Sequence, residues 1–313
     1  MSLHLQAGVS SAGRVVASHG RDASVLDDSG RRIHCRLQGR RLAVVCGDRV
    51  LWIAARSEGT AGIIVEVLPR ANLLARLTLR GEAEPVAANL TQLVAVVAPV
   101  PAPDFGLCDR YLAAAEWNGL RACIVANKSD LAGQAQLLAA VLDDYSRIGY
   151  AVLHASRRSA DGAAALRERL AGETSVLVGQ SGVGKSSLTN VLVPGVEAAV
   201  DVVSRASATG RHTTSTSSLY GLPSGGELID SPGVRDFSPP LPAPRAVVDG
   251  FREIAGISGH CRFRDCLHRR EPGCAVAAAC DDGRISARRF ASYRRLLELA
   301  ETMAERAPPR VRR

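Results

Sequence analysis

The chain has 313 residues, 46% of them hydrophobic and 22% charged, enough for two or three domains whose main core needs no disulfides. No apolar run approaches the roughly 20 residues of a membrane helix, and the opening MSLHLQAGVSSAGRVV lacks the basic flank and apolar core of a signal peptide, so a cytoplasmic protein is the expectation. The net charge of +8 sits at the two ends: +6 over residues 1–80, −3 over 81–245 and +5 over 246–313, a distribution suited to two flanks that meet a polyanion such as nucleic acid, although an arginine-rich composition alone would give the same total.

Along residues 1–80, RVVAS, SVLDD, RIHCRL, DRVLWIA and GIIVEVL read as five short strands separated by DDSG, QGRR and SEGTAG. Five strands without a helix predict a small barrel, most economically an OB-fold, with a different small barrel as the alternative. From about residue 90 the pattern changes to apolar strands (LVAVVAP, ACIVAN, AVLHAS, SVLVGQ) alternating with helical stretches near 107–118, 133–148 and 161–171. That alternation predicts a doubly wound parallel sheet. LYGL and GGELIDSPG add two strands, expected as an antiparallel pair, and the Ser-, Thr- and Gly-rich segment 194–218 before them reads as a functional or mobile stretch. SPPLPAPR reads as a linker, followed by helical patterns over 246–258 and 284–306. The expected domains are therefore 1–80, 81–240 and 241–313, and the fold class is multidomain α/β.

The chain has 37 arginines and two lysines, Lys128 and Lys185, each inside a motif. A compact, rotatable ammonium is not replaceable by a planar guanidinium in a tight phosphate cradle or along a base. GQSGVGKSS, which is Gly179, Gln180, Ser181, Gly182, Val183, Gly184, Lys185, Ser186 and Ser187, follows the strand SVLV and precedes the helical LTNVL. Strand, glycine-rich loop and helix in that order form a phosphate-binding loop, with Lys185 on the β- and γ-phosphates and Ser186 on Mg²⁺. In NKSD, Asp130 can accept both donors of the guanine edge, while Asn127 supports neighbouring loops, Lys128 lies along the base and Ser129 completes the turn; alone, this tetrapeptide would read as a helix N-cap. Ala155 and Ser156 of HAS end the next strand, where a backbone N–H can meet the guanine oxygen. DSPG places Asp230 as a carboxylate for the Mg²⁺ site and Gly233 as a γ-phosphate N–H donor. The base-reading motif thus precedes the phosphate loop, which in a GTP-binding protein is a circular permutation of the usual order.

The residue after DSPG is Val234, which cannot orient a water molecule. GRHTT offers His212 for that task, with Thr213 or Thr214 for Mg²⁺ and the γ-phosphate; a solvated loop histidine or an RNA contact is the competing reading of His212. Cys261, Cys266, His268 and Cys274 fall within 14 residues and match a closed tetrahedral zinc site, with Cys280 as a rival fourth ligand. Cys35, Cys46, Cys108 and Cys123 stand apart in apolar contexts and read as buried small hydrophobes.

A β-barrel followed by NKSD, GQSGVGKSS, GRHTT, DSPG and C-x₄-C-x-H-x₅-C, in that order, resembles the bacterial ribosome small subunit-dependent GTPase A family, also called RsgA or YjeQ, over essentially the whole chain, including GDRV at 47–50 and VLPR at 67–70. The resemblance implies an OB-fold, a permuted GTPase domain and a zinc domain. It also implies binding to the 30S subunit and its 16S rRNA late in maturation, with GTP hydrolysis stimulated by the subunit; separately, nothing in the sequence suggests a dimer seam, so a monomer is the expectation. In that family's terms His212 is the water-orienting residue and Thr214 the switch threonine, while DSPG departs mildly from D-T-P-G. Two other readings remain: a GTPase with a different RNA or ribonucleoprotein partner, and an RNA-binding module that holds nucleotide structurally. Stimulation of hydrolysis by purified 30S subunits separates them.

Overall fold

The structure is a computed structural model that describes residues 10–57, 60–78, 81–156, 160–195, 217–231 and 239–306. His212, Thr213, Thr214, Gly233 and Val234 lie outside the described residues. In chain order the elements are strands β1 (Ser11–His19), β2 (Asp22–Asp27), β3 (Arg32–Leu37), β4 (Arg49–Ser57), β5 (Thr60–Val67), β6 (Leu73–Leu77), β7 (Ala83–Ala88) and β8 (Gln92–Val97). Then follow α1 (Phe105–Trp117), β9 (Arg121–Ala126), α2 (Ala132–Arg147), β10 (Ala151–His154), α3 (Ala160–Leu170), β11 (Thr174–Val178) and α4 (Lys185–Leu192). Strands β12 (Ser217–Gly221) and β13 (Glu227–Asp230) come next, then a 3-10 helix (Pro244–Gly250) and helices α5 (Arg252–Ser258), α6 (Ala275–Asp281) and α7 (Ala287–Arg306).

The chain divides into two compact units, the first made of Met1–Thr91, Ala163–Leu177 and Lys185–Phe237, the second of Gln92–Gly162, Val178–Gly184 and Ser238–Arg313. In the first unit, β1 pairs antiparallel with β2 and with β4, β2 with β3, and β4 with β5, while β3 and β5 run parallel. Strand order 1-2-3-5-4-1 closes the barrel and is the OB topology. Period-2 patterning explains it: along β3, Ile33, Cys35 and Leu37 are buried, and Arg32, His34 and Arg36 face outward. The inward residues join Val15, Val25, Val50, Trp52 and Ile64 in one core. Strand β1 departs from alternation, with Val15, Val16 and Ala17 all buried, because a bulge shifts its register against β2 between Val15 and Ala17.

The motifs GDRV and VLPR meet at the foot of this barrel. Arg70 donates from Nε and Nη2 to the two carboxylate oxygens of Asp48, at 2.7 and 2.8 Å, and the Val45 N–H donates to Oδ2 at 2.9 Å. Asp48 is fully buried, so this fork is a structural clamp. Gly47, at φ +91°, comes so close to the next hairpin that a Cβ would stand 2.1 Å from the Ala88 carbonyl oxygen, and no larger residue fits. The hairpin itself, β6–β7, was not foreseen from the sequence: Pro85 and an alanine-rich β7 carry little strand signal.

The same unit holds β11 parallel to β13 and β12 antiparallel to β13, as expected, and β12 also pairs with β1 of the barrel. In the second unit β8, β9 and β10 are parallel. Every residue of β8 is buried, the mark of a strand covered on both faces. Helices α1, α2 and α3 stand within one or two residues of the ranges predicted.

The C-terminal segment of the second unit is helical, as its patterning required. Val247, Phe251, Ile254, Val276, Ala279, Ile285, Tyr293, Leu296 and Leu297 form its core together with Ala113 of α1. Phe251 and Tyr293 meet edge to face, with centroids 5.6 Å apart. Buried beside them, Arg289 donates to both oxygens of Glu253, at 2.7 and 3.0 Å, and to Asp109 of α1 at 2.9 Å; Arg288 and Tyr145 complete the shell of Asp109 at 2.8 and 2.5 Å. Helix α6, inside the cysteine-rich stretch, is the one C-terminal helix the sequence reading lacked; Cys274 caps it by accepting the Ala277 N–H.

Candidate functional site

In the second unit, the ends of β9 and β10 and the first part of the phosphate loop are tied by four side chains. Asn127, 5% exposed, donates from Nδ2 to the Val183 carbonyl at 2.8 Å. Lys128, held at φ +60°, donates from Nζ to the carbonyls of Gly182 at 2.8 Å and Val100 at 2.7 Å. Two divergent acceptors at such range suit a rotatable ammonium, which explains a lysine in a chain otherwise built with arginine. Ser129 donates from N and Oγ to the Ala155 carbonyl, at 3.1 and 3.0 Å. The exposed Asp130 accepts the Ser156 hydroxyl at 2.6 Å, a short charge-assisted bond that aims the carboxylate. The parallel register of β10 on β9 sets that meeting, because it brings His154 level with Ala126 and the two following loops side by side. The Ala155 N–H donates to the Ala126 carbonyl at 2.9 Å and so continues the β9–β10 ladder past the end of β10.

The loop from Gly179 to Gly184 needs its glycines for close approach as well as for torsion. Gly184 has φ +97°, and a Cβ there would stand 2.4 Å from Asn127 Nδ2; at Gly179 it would stand 2.3 Å from the Val96 carbonyl oxygen. Gln180, a variable position of the motif, accepts the Asp104 N–H at 3.2 Å, and Asp104 also caps α1 through the Leu107 N–H. The ties of Val100 to Lys128 and of Asp104 to Gln180 are not legible in the sequence, because they span 28 and 76 residues. Ser181 and Gly182 are exposed, as a ligand-facing loop requires.

In the first unit, Lys185 begins α4, so its backbone and those of Ser186 and Ser187 form the first turn, where the positive end of the helix dipole favours anions. Lys185, Ser186 and Thr189 share one cavity with Asp230 and Ser231 from the end of β13. The predicted phosphate and Mg²⁺ ligands Lys185, Ser186 and Asp230 are thus brought together, while Gly233, His212 and Thr214 lie outside the described residues. Ser231 replaces the more familiar threonine, and its hydroxyl meets Ser217 Oγ at 2.7 Å, so the exchange keeps a polar anchor at the strand end.

The cysteine cluster has metal-site dimensions. The sulfurs of Cys261, Cys266 and Cys274 each lie 3.5 Å from His268 Nδ1, and those of Cys261 and Cys274 are 3.9 Å apart. Tetrahedral coordination with metal–sulfur bonds of about 2.3 Å and metal–nitrogen bonds of about 2.0 Å requires separations of about 3.5 Å and 3.8 Å. All four ligand atoms lie within 4.8 Å of one another, and Cys280 is not part of the group. Burial lowers the His268 pKa, keeping the imidazole neutral as a ligand must be, and burial among neighbouring thiols pushes Cys266 up to about 12. Without a cation the Cys266 thiol stays protonated; a cation held by the four ligands would favour its thiolate.

A family model described as RsgA GTPase matches residues 67–239. The chain is 48% identical over 271 residues to the small ribosomal subunit biogenesis GTPase RsgA of Azotobacter vinelandii, covering 86% of this chain and 78% of the relative. It is 44% identical over 292 residues to the protein of the same name from Pseudomonas aeruginosa, covering 93% and 86%. The crystal structure of YjeQ from Thermotoga maritima superposes with a TM-score of 0.74 at 30% identity, over 93% of this chain and 99% of that one. YloQ, described as a circularly permuted GTPase, superposes with a TM-score of 0.72 at 27% identity, over 98% and 99%.

Proposed function

The chain belongs to the RsgA GTPase family and hydrolyses GTP, and we propose that it does so on the small ribosomal subunit late in that particle's maturation, with the subunit stimulating turnover. The observation that carries this reading is the base-reading loop bound to the phosphate loop: Asn127 and Lys128 clamp Val183 and Gly182, and Ser156 aims Asp130. Asp130 takes the N1–H and exocyclic amine of guanine, and Lys128 lies along the base. Backbone N–H groups of 179–187 and the Lys185 ammonium hold the phosphates. Ser186, Asp230 and Thr214 would hold Mg²⁺ brought by the nucleotide, which would supply positive charge against that developing on the phosphates. His212 orients the attacking water and Gly233 donates its N–H to the γ-phosphate; both residues lie outside the described residues, and their roles rest on motif position.

Zinc is the metal we assign to Cys261, Cys266, His268 and Cys274, since three thiolates and one imidazole in a closed tetrahedron suit it and leave no open position for catalysis. It would cross-link a loop that has little core of its own. The excess positive charge of residues 1–80 and 246–313 supports 16S rRNA as the surface contacted.

The test is GTP turnover by the purified protein with and without 30S subunits. Weak basal hydrolysis that rises strongly with 30S is expected. Stimulation by another RNA but not by 30S overturns the ribosomal reading, and in the same assay His212→Ala keeps nucleotide binding and loses turnover.

A further inference from the structure

We propose that the loop joining α5 to α6 carries a binding site for one unpaired RNA base, stacked on Phe263, with its flanking phosphates met by Arg262, Arg264 and Arg245. This deepens the ribosomal reading and rests on it for the identity of the RNA.

Phe263 is 42% exposed, and it is the one aromatic ring among the large hydrophobic side chains that stand exposed in the described residues. It cannot fold back, because the loop around it is fixed from several sides. Cys261, Cys266, His268 and Cys274 gather its two arms. Glu271 accepts the N–H groups of Leu267, Arg269 and Arg270 at 2.8, 2.6 and 3.0 Å. The Arg262 N–H donates to the Gly273 carbonyl at 3.1 Å, and the Cys266 N–H to the carbonyl of Phe263 itself at 3.3 Å. A ring presented by so rigid a loop loses little conformational freedom on binding.

The surroundings say what the ring meets. The Arg262 guanidinium lies 5.5 Å from its centroid, Arg264 and Asp265 beside it are exposed, and Phe263, Arg264 and Arg245 line one cleft next to the cysteine cluster. Asp265 faces Arg245 at 3.9 Å, which partly offsets its negative charge. The apolar patch is therefore one ring wide with cations around it. A protein partner's apolar face asks for a broader patch. One base, whose π-face stacks on an aromatic or a guanidinium while its phosphates seek arginine, fits these dimensions. Double-stranded RNA keeps its bases stacked inside the helix and cannot use the ring.

The experiment uses the full-length protein loaded with a non-hydrolysable GTP analogue and measures affinity for 30S subunits, for a short single-stranded oligoribonucleotide and for a duplex of the same sequence. Phe263→Ala is expected to weaken binding to 30S and to the single strand about tenfold, the scale of one lost stacking contact, with duplex binding, basal hydrolysis and zinc content unchanged. Phe263→Trp restores affinity, and the fluorescence of the new indole is quenched by the single strand; Phe263→Leu, apolar but without a π-face, behaves as alanine. Leucine binding as tightly as phenylalanine, or alanine binding as tightly as wild type, overturns the proposal. If the wild-type protein neither binds 30S nor is stimulated by it, the ribosomal reading falls, and the single-strand arm alone decides whether Phe263 is a base platform.

Discussion

An exposed carboxylate that must recognise two donors on one base edge works only if its orientation is set before the base arrives. Asp130 meets that need through Ser156, whose hydroxyl donates to it at 2.6 Å from 26 residues away. Replacing Asp130 by Asn exchanges an acceptor for a donor and should move preference from GTP toward xanthosine triphosphate; unchanged selectivity in competition binding would remove Asp130 from the site. Ser156→Ala leaves the carboxylate in place but unaimed. A hydrogen bond to a charged group contributes about 1.5–3 kcal/mol, so GTP affinity should fall roughly tenfold or more with selectivity kept, as read by titration with a fluorescent guanine nucleotide. Asp130 was legible in the sequence because NKSD is a contiguous motif, whereas its tie to Ser156 was not, because the register of β10 on β9 creates it. The same holds for Lys128: its scarcity marked it, but its acceptors, Gly182 and Val100, are supplied by other loops.

Among the elements, the barrel was legible as five short strands set off by turn signals, and β3 shows the period-2 burial that such a strand needs. The clamp that closes its foot was visible only as two short motifs without a partner assignment. Removing Arg70 strands a fully buried carboxylate, so Arg70→Ala should destabilise the protein by about 3–5 kcal/mol in denaturant unfolding, while guanine selectivity in the surviving folded fraction is unchanged. If stability is unaffected, Asp48 must be held otherwise and the clamp is incidental. The cysteine loop has the reverse character: spacing identified its ligands, and tertiary distances separated Cys274 from its rival Cys280. About one zinc per chain is expected in metal analysis, with Cys266→Ser losing it and a chelator lowering the melting temperature. Because protons compete for the thiolates, metal retention should weaken as pH falls, and retention that is independent of pH would argue against thiolate ligation.

Over the whole molecule, the isolated cysteines Cys35, Cys46, Cys108 and Cys123 are buried as small hydrophobes, and three of them add a titration. Burial pushes Cys35 up to about 11 and Cys46 and Cys108 up to about 12, from an ordinary value of 9.0. The unfolded chain therefore releases these protons first, so their contribution to stability is intact below about pH 9 and is lost as pH rises toward 11–12. Alkaline unfolding should steepen over that window, and Cys35→Ala should flatten it while lowering stability at neutral pH; an unchanged profile would mean the thiol is not protected. The sequence by itself determined the fold class, the order of the motifs, the permutation and the cysteine-rich stretch in which the candidate metal ligands lie. Each of these rests on local periodicity or on residues within one short stretch, where side-chain chemistry and spacing carry the information. Tertiary structure alone decided which groups hold those motifs in place: Ser156 on Asp130, Lys128 on Gly182, Arg70 on Asp48, and Arg289 between Asp109 and Glu253. Those partners stand 22 to 180 residues apart in the chain. Strand register and helix packing bring them together, and no periodicity in the chain encodes such a meeting.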